Sequence, residues 1–594
     1  MASRGAAPEV FIAGAGVAGL AAAHRLLQRG YDVTLLEAND YVGGKLGAHR
    51  EIGIDCGAGG GHGQGHAGHP PDCSCGATPC LRASDWHEHC YHMYLNWYHN
   101  FWDFMAEIGT LGKFAPIDSV ATLMRSAPGG DRPAPVSLVN VGSPWTTARN
   151  VFSGIGPVAD VLASIQATAD LAGEFMRGDA WLEQTSITSY MRQRLYATEA
   201  ALASTGRTTA QAFASPSYLS SARSYKALLN YGLRRPAPQM YLLRDPTGPS
   251  IFTPWLIALR RISCEFRLLG KPIADPLNPL RVASQTVTEP GPGGRLTIRP
   301  LTMVSQVELD EGTGRVKALH LQPLRRSPFL SADGKPEPEG PVDIVEMRGD
   351  VILAVPPRQL GTLVSPQIAR AAPQLAKVRN LRMEPMISLD LFFRKKLDNI
   401  PQGITSLQGT VLELSLLDTS QSWETAPHLG TSFNIIASTA DTIIQYDDAT
   451  ILDLILQELA HYIDFDRADI IECRTHLQTN VGAELFVNQI GSWDSRPQAS
   501  CEIPNLFIAG DYCKTPVDVV TIEGAVMSGL IAAEALRRRR RKGSPIRIHR
   551  PDSYPVQMIG AMAAATRPVG YAAFAAATAD RVVNTAYTSL FPNG

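Results

Sequence analysis

The first thirty residues contain a strand–loop–helix pattern that strongly restricts how the chain can fold. The apolar run EVFIA, residues 9–13, is typical of a buried strand, and the glycines of GAGVAG follow it directly, before an alanine- and leucine-rich helical pattern. Gly14 permits a tight turn, Gly16 lets the backbone approach a pyrophosphate at the helix N-terminus, and Gly19 lets the helix pack closely on the strand. The pattern therefore predicts a Rossmann-like α/β unit that binds a dinucleotide.

A second strand, YDVTLLE, ends at Glu37, where a carboxylate can accept hydrogen bonds from ribose hydroxyls. This acidic position makes the glycine motif far more specific, and the alternative of a glycine-rich turn that binds nothing is disfavoured. The motif alone does not separate NAD from FAD. The residues expected to contact the dinucleotide from this unit are Gly14, Gly16, Val17, Ala18, Gly19, Glu37 and Ala38.

Two further elements favour FAD. Gly43-Gly44-Lys45 follows the first unit, and a strand ending in Ala-Gly-Asp, with the aspartate at Asp511, stands near the other end before the helical pattern IEGAVMSG. Both elements resemble those of FAD-dependent amine oxidases and carotene desaturases. The resemblance implies that Asp511 reaches the ribityl chain and that the helix N-terminus points at the flavin edge that becomes negative on reduction. The cofactor contacts implied are Gly43, Gly44, Lys45, Gly510, Asp511, Thr521, Ile522, Gly524 and Ala525.

The same resemblance implies a glutathione-reductase-like FAD domain assembled from discontinuous segments, beside an α+β substrate domain with a helical cap. The hairpin-like pattern after residue 295 resembles the middle FAD segment, in which the backbone of Val304 is expected to face the adenine. The expected division is FAD segment 1–110 with an inserted loop 57–84, substrate and cap region 111–294, FAD segment 295–360, substrate domain 361–480, FAD segment 481–543 and helical tail 544–594.

The stretch WHEHCYHMYLNWYHN, residues 86–100, indicates a branch of the superfamily. Its Glu88-x3-His92 and Tyr98-x-Asn100 spacings resemble a pattern in plant and cyanobacterial phytoene and zeta-carotene desaturases, although Cys90 stands where that pattern has glycine. The resemblance implies that this stretch forms the substrate side of the flavin. The catalytic candidates, for orienting the substrate or accepting its proton, are Glu88, His89 and His92; hydrogen-bonding core histidines are the alternative.

A second group of soft metal ligands precedes this stretch. The loop between Cys56 and Cys90 holds scattered histidines and cysteines, of which Cys73, Cys75 and Cys80 are the weak metal candidates. Their spacing does not reproduce the usual C-x2-C knuckle, so the sequence predicts no metal site. The alternative is a polar surface insertion.

Composition excludes several classes of function. A net charge of −2 gives no general attraction to nucleic acid. No apolar run reaches the ~18 residues of a membrane span, and no secretion signal precedes the first strand, so a cytoplasmic location is expected. The basic run 537–542 leaves peripheral membrane contact open, with a solvated helix end as the alternative. The alanine-rich tail is expected to dock on the body of the protein or on a second copy.

Three functions remain open at this point. The favoured one is an FAD-dependent oxidoreductase that desaturates an apolar, isoprenoid-type substrate and passes electrons to a quinone or to oxygen. The second is an amine or amino-acid oxidase that releases hydrogen peroxide. The third is a non-catalytic prenyl-binding escort protein, which the intact dinucleotide motif disfavours.

Overall fold

The computed structural model describes residues 7–50, 85–139, 144–233, 238–325, 336–425, 430–480, 482, 484–552 and 555–590. The strands within these ranges are β1 (Glu9–Ala13), β2 (Asp32–Leu36), β3 (Ala48–Arg50), β4 (Trp86–Glu88), β5 (Tyr94–Leu95), β6 (Phe114–Ile117), β7 (Ser119–Met124), β8 (Val136–Val139), β9 (Met240–Leu243), β10 (Glu265–Leu268), β11 (Arg295–Arg299), β12 (Thr302–Leu309), β13 (Val316–Arg325), β14 (Glu337–Pro338), β15 (Asp343–Glu346), β16 (Asp350–Leu353), β17 (Met383–Glu384), β18 (Ile387–Phe392), β19 (Ile404–Gln408), β20 (Leu414–Asp418), β21 (Ser432–Ala437), β22 (His476–Thr479), β23 (Leu485–Phe486) and β24 (Leu506–Ile508).

The α-helices of the same ranges are α1 (Val17–Leu27), α2 (His99–Glu107), α3 (Pro144–Val151), α4 (Val158–Ala172), α5 (Gly178–Glu183), α6 (Ile187–Arg192), α7 (Glu199–Phe213), α8 (Ala222–Leu233), α9 (Thr253–Ile262), α10 (Pro279–Gln285), α11 (Pro357–Leu363), α12 (Pro366–Ala371), α13 (Pro373–Ala376), α14 (Thr419–Ser422), α15 (Asp448–Leu459), α16 (Ile522–Arg540) and α17 (Val556–Leu590). None of these helices is both long and apolar enough to cross a membrane.

A six-stranded parallel sheet forms the centre of the molecule, in the order β10-β11-β2-β1-β16-β24. Its central strands are apolar along their length because helices or a second sheet cover both faces, and Val10, Ile12 and Ile352 are fully buried. The strands come from the N-terminal, middle and C-terminal parts of the chain, which confirms the predicted Rossmann-like α/β domain built from discontinuous segments.

Two segments belong to this domain although the sequence analysis assigned them elsewhere. Helix α9 and strand β10, expected in the substrate and cap region, pack on α1 and extend the parallel sheet; the indole of Trp255 is buried and donates a 3.1 Å hydrogen bond to Nδ1 of His24. Helix α11, which crosses the expected boundary at residue 360, and helices α12 and α13, which lie beyond it, share one apolar core with β16 and β24. Apolar helical spacing marks a buried face but does not say which layer buries it.

The second large sheet is mixed, in the order β22-β18-β21-β20-β19-β7-β8. It joins strands before and after the middle FAD segment and has its own apolar core with α15. A helical region, α3 to α8, lies beside it. Helix α17 packs on α4, where Nε2 of Gln166 donates a 2.8 Å hydrogen bond to the carbonyl of Ala563.

Candidate functional site

The loop between β1 and α1 has the geometry of a phosphate-binding turn. Gly14 has φ +98°, and a Cβ on Gly19 would meet the carbonyl oxygen of Gly14 at 2.0 Å, so both positions need glycine for the fold itself. Gly16 differs: its backbone is extended, with φ −68° and ψ 177°, and an added Cβ would meet nothing closer than Cα of Gly44 at 3.7 Å. No described protein atom requires Gly16 to lack a side chain, so the space beside it suits a ligand.

A second glycine loop lies directly against the first. The amide of Gly43 donates a 2.9 Å hydrogen bond to the carbonyl of Ala15, and a Cβ on Gly44 would meet Cα of Gly16 at 3.1 Å. Gly43 has φ +111° and faces the ring of Phe252, while Lys45 is half-buried. The two glycine-rich loops thus form one continuous backbone surface at the carboxyl ends of β1 and β2.

Glu37 closes this surface at the end of β2. Its Oε2 accepts a 2.7 Å hydrogen bond from the amide of Ala15, and its Oε1 accepts one of 2.9 Å from the amide of Asn39. Burial raises the pKa of Glu37, and the backbone donors oppose that rise. Because each carboxylate oxygen has two lone pairs, acceptor capacity is left over for a ribose hydroxyl.

The Ala-Gly-Asp turn after β24 brings the distant C-terminal segment to the same edge. Gly510 has φ +149°, and its amide donates a 2.9 Å hydrogen bond to Oγ of Ser528 on α16. Asp511 is half-buried, and its carboxylate forms no hydrogen bond within the described part of the chain.

Thr521 caps α16, its Oγ1 accepting a 3.1 Å hydrogen bond from the amide of Gly524. Ile522 and Ala525 form the first turn of α16, behind this cap.

Close helix packing positions α16 relative to the glycine loop. A Cβ on Gly529 would meet the carbonyl oxygen of Ala18 on α1 at 2.1 Å. The N-termini of α1 and α16 both begin at loops that carry predicted cofactor contacts, Val17 and Ala18 in one helix and Ile522 to Ala525 in the other. Two helix N-termini near one edge provide a favourable field for negative charge.

Arg496 lies in the turn that precedes β24, and its side chain is not on the surface. The guanidinium is buried, forms an ion pair with Asp518, and donates hydrogen bonds to the carbonyls of Tyr512 (2.9 Å) and Cys513 (2.8 Å). It therefore holds the loop that carries Asp511. Asp518, which has φ +48° and also pairs with Arg223 at 3.1 Å, was missed by the sequence analysis.

Glu523 is a second residue that the sequence analysis missed. Its carboxylate caps α2 by accepting hydrogen bonds from the amides of Asn100 (3.0 Å) and Phe101 (2.9 Å), and a third of 2.6 Å from Nδ2 of Asn100. Burial raises its pKa to about 7. The Tyr98-x-Asn100 pattern and the start of the IEGAVMSG helix, which are far apart in the sequence, are thus in direct contact.

Val304 lies on β12 with its side chain in the core below the parallel sheet. Its Cα pairs with Leu321, and the register shifts between Val304 and Gln306, which leaves Ser305 in a bulge. Such irregularities expose backbone groups that a regular ladder would use.

The turn after β4 brings together Glu88, His89, Cys90 and His92. Oε1 of Glu88 accepts a 2.6 Å hydrogen bond from the amide of Thr247, and Oε2 lies 3.9 Å from Nδ1 of His92. The sulfur of Cys90 lies 3.5 Å from Nε2 of His89 and 3.5 Å from Nε2 of His92. The structure therefore groups all three predicted catalytic candidates, and adds Cys90, which the sequence analysis treated only as a departure from the pattern.

The electrostatics of this turn couple the thiol and the imidazole. Burial alone would raise the pKa of Cys90, but His89 and His92 lower it to about 6. Burial alone would lower the pKa of His92, but the neighbouring thiolate and Glu88 raise it to about 10. These neighbours thus favour a thiolate–imidazolium pair near neutral pH.

Tyr91 anchors the turn on the mixed sheet. Its amide donates a 2.8 Å hydrogen bond to Oδ1 of Asn434 on β21, and its hydroxyl donates one of 2.7 Å to Oγ of Ser415 on β20. Tyr91 and Met93 pack on a small apolar cluster formed by Leu242, Ile404 and Leu417. The turn therefore joins the β3–β4 hairpin to an apolar cluster beside the mixed sheet. The weak metal candidates Cys73, Cys75 and Cys80 lie outside the described residues.

The basic run at the end of α16 is largely occupied by contacts within the chain. Arg537 and Arg538 pair with Glu534, and Arg540 pairs with Asp350 at 2.7 Å. The nitrogen of Lys542 donates a 3.2 Å hydrogen bond to the carbonyl of Gly30. These contacts support the interpretation of a helix end, while the side chain of Arg538 stays 74% exposed beside its ion pair.

Comparison with known proteins agrees with this architecture. Residues 17–67 and 344–537 match the family described as flavin containing amine oxidoreductase. The 15-cis-phytoene desaturase of Solanum lycopersicum is 22% identical over 541 residues, covering 89% of this chain and 77% of that protein. Two solved structures share the fold. One is a protein of Exiguobacterium sp. 255-15 described as a candidate protoporphyrinogen oxidase, which is 16% identical with a TM-score of 0.55, covering 90% of this chain and 99% of that one. The other is putrescine oxidase bound to putrescine, which is 15% identical with a TM-score of 0.54, covering 90% of this chain and 99% of that one.

Proposed function

We propose that this chain, which belongs to the superfamily of FAD-dependent amine oxidases and carotene desaturases, dehydrogenates a largely apolar substrate of the isoprenoid type. The chain is an FAD-dependent oxidoreductase, and the proposal concerns its substrate. One observation carries it: the similarity to a phytoene desaturase extends over 89% of the chain and so includes the substrate domain as well as the cofactor motifs. The similarity to putrescine oxidase, at 15% identity, supports the fold alone.

The cofactor contacts are part of the proposal. Gly16 and Gly44 form a side-chain-free surface for the pyrophosphate, Glu37 accepts from the adenosine ribose, and Asp511 accepts from the ribityl chain. The open space at Gly16 and the unused carboxylate of Asp511 fit such a ligand. The full set proposed to contact FAD is Gly14, Gly16, Val17, Ala18, Gly19, Glu37, Ala38, Gly43, Gly44, Lys45, Val304, Gly510, Asp511, Thr521, Ile522, Gly524 and Ala525.

The proposed reaction removes two hydrogens from neighbouring carbons. Bound FAD supplies a two-electron acceptor for the hydride. A proton leaves the adjacent carbon, a C=C bond forms, and the electrons pass finally to a quinone or to oxygen. Glu88, His89 and His92 are placed to orient the substrate or to accept its proton, since the turn that carries them rests on the apolar cluster of the substrate domain.

The apolar surroundings of Tyr91 and Met93 support this substrate class. A protonated amine would need a desolvated partner of opposite charge or an aromatic cage. Glu88, the carboxylate next to His89 in the chain, already accepts a hydrogen bond from Thr247 and lies beside His92. An apolar chain needs only shape and exclusion of water.

The test is a substrate screen with the purified flavoprotein under anaerobic conditions. Long-chain isoprenoids in detergent or vesicles are expected to bleach the flavin absorbance, whereas primary amines and amino acids leave it unchanged. On re-aeration with isoprenoid, each turnover yields a product two mass units lighter. Bleaching by amines, followed by stoichiometric hydrogen peroxide on re-aeration, and no bleaching by isoprenoids, would overturn the proposed substrate class and identify an amine oxidase.

A further inference from the structure

Three side chains that bind soft metals meet on the turn between β4 and β5. The donor atoms of His89, Cys90 and His92 all lie within 4.8 Å of one another, and the side chains are partly buried. Both imidazoles place Nε2 at 3.5 Å from the same sulfur. From this arrangement we propose that His89, Cys90 and His92 bind one divalent transition-metal ion of the zinc type.

The distances fit a single tetrahedral ion. An ion about 2.3 Å from a thiolate and about 2.0–2.1 Å from an imidazole nitrogen, with a tetrahedral angle between the bonds, separates sulfur and nitrogen by roughly 3.5 Å. Both sulfur–nitrogen distances on this turn have that value. Thiolate and imidazole ligands together favour Zn²⁺ over Mg²⁺ or Ca²⁺, which select oxygen.

The remaining nitrogen of His92 faces a carboxylate, as in many metal sites. Its Nδ1 lies 3.9 Å from Oε2 of Glu88 and forms no hydrogen bond with the described residues. Glu88 is itself fixed by the amide of Thr247. A carboxylate behind a ligating imidazole orients the ring and raises its basicity, so Glu88 is placed as a positioning residue for the metal.

The turn is held in place by contacts that do not use the ligand atoms. Tyr91, between the ligands, hydrogen-bonds to Asn434 and Ser415 of the mixed sheet, and Nδ2 of Asn434 donates a 2.7 Å hydrogen bond to Asp390. The ligands are thus presented by a fixed backbone, which lowers the ordering cost of binding an ion.

Three protein ligands leave at least one coordination position for water or a substrate group, as in catalytic zinc sites. Metal binding would occupy Nε2 of both histidines. If the proposed function is correct, this changes the role of the cluster from accepting a proton to orienting the substrate. Metal binding itself does not depend on the substrate class.

The test is metal titration of the purified flavoprotein, stripped with a chelator and reloaded with Zn²⁺ or with Co²⁺ as a spectroscopic probe. Wild-type protein is expected to bind one ion per chain, and the Co²⁺ form to show a thiolate-to-cobalt charge-transfer band. Cys90→Ser is expected to lose that band, and His89→Gln and His92→Gln to weaken binding at least tenfold. Cys264→Ser, a half-buried cysteine elsewhere in the fold, is the matched control and retains both properties.

A variant with Cys73, Cys75 and Cys80 all changed to serine separates this site from the preceding loop. Retention of the ion in that variant, with loss in Cys90→Ser, supports the proposal. Binding that persists in Cys90→Ser and disappears in the loop variant would overturn it, as would wild-type protein that binds no ion. The flavin spectrum and thermal unfolding of each variant verify folding, and the two histidine variants serve if Cys90→Ser does not fold.

Discussion

Glu523, on the first turn of α16, accepts a 2.6 Å hydrogen bond from the side-chain amide of Asn100, and its carboxylate also caps α2. The oxygen of the same amide accepts a 2.8 Å hydrogen bond from the amide of His549. One buried carboxylate therefore links the helix proposed to face the flavin with the helix that follows the His89–His92 turn. Substitutions here should alter the site as well as the stability of the fold.

The buried carboxyl of Glu523 should make stability depend on pH. Its pKa is raised by burial from 4.5 to about 7, so the folded chain binds more protons than the unfolded chain between those values. The stabilisation of the folded state that comes from this proton uptake is fully present below pH 4.5 and is lost as pH rises through 7. Its size is on the order of 3 kcal/mol. Glu523→Gln cannot ionise. In denaturant titrations, the free energy of unfolding of Glu523→Gln minus that of the wild type should increase from pH 5 to pH 8. A difference that does not change with pH would contradict the raised pKa of Glu523.

Removal of Arg496 should destabilise the loop that carries Asp511. In Arg496→Met the buried carboxylate of Asp518 keeps Arg223 as its one ionic partner among the described residues, and the carbonyls of Tyr512 and Cys513 lose the hydrogen bonds that Arg496 donates. We expect a loss of about 3 kcal/mol or more and a lower ratio of FAD to protein after purification.

The matched control for Arg496 is Arg244→Met. Arg244 pairs with Glu424 at 3.2 Å, but both side chains are about half exposed. Such pairs contribute roughly 0–1 kcal/mol. Thermal unfolding and flavin content should therefore remain close to wild type, and equal effects of the two substitutions would contradict the role given to Arg496.

The glycines of the first loop should separate folding from cofactor binding. In Gly16→Ala the nearest contact of the new Cβ is 3.7 Å, so the apoprotein should unfold near the wild-type temperature while FAD affinity falls at least tenfold. In Gly19→Ala the Cβ would meet a carbonyl oxygen at 2.0 Å, so the apoprotein itself should be destabilised. Calorimetry of the apoproteins and fluorescence titration with FAD measure the two effects; unchanged FAD affinity in Gly16→Ala would refute the assignment of Gly16 to the cofactor site.

The docking of α17 on the body of the protein depends on small residues. A Cβ on Gly560 would meet the carbonyl oxygen of Gly173 at 2.6 Å and the ring of Phe175 at 2.8 Å. Gly560→Val should therefore separate α17 from α4 and accelerate proteolysis between residues 543 and 560. Ala564→Val, on the exposed face of the same helix, is the control and should change little. Equal cleavage rates would show that this contact does not hold the tail.

Local patterns were sufficient for the cofactor loops. Gly14, Gly19 and Glu37 act within one strand–loop–helix–strand unit, so their spacing determines their geometry. Gly44 follows the end of β2 after a short loop, and this local connection brings it close to Gly16. The Rossmann-like fold was correctly predicted for this reason, whereas the correct prediction of FAD came from the resemblance of Gly43-Gly44-Lys45 and of the Ala-Gly-Asp turn to known flavoproteins.

Contacts between distant segments could not be predicted in this way. Asn100 and Glu523 are 423 residues apart, and each alone resembles an ordinary helix-start residue. Arg496 occupies a polar turn in the sequence, and only the fold shows that Asp518 is beside it. The convergence of His89, Cys90 and His92 depends on one turn being held by Asn434 and Ser415, to which no local pattern points.

We propose that FAD bound by these loops removes two hydrogens from an apolar isoprenoid. The most direct measurement is an anaerobic single turnover in which reduction of the bound flavin and formation of product are followed together, with phytoene in vesicles as substrate. We predict one new C=C bond, and a mass loss of two, for each flavin reduced. Flavin that stays oxidised with phytoene and related isoprenoids, but is reduced by amines, would contradict the claim.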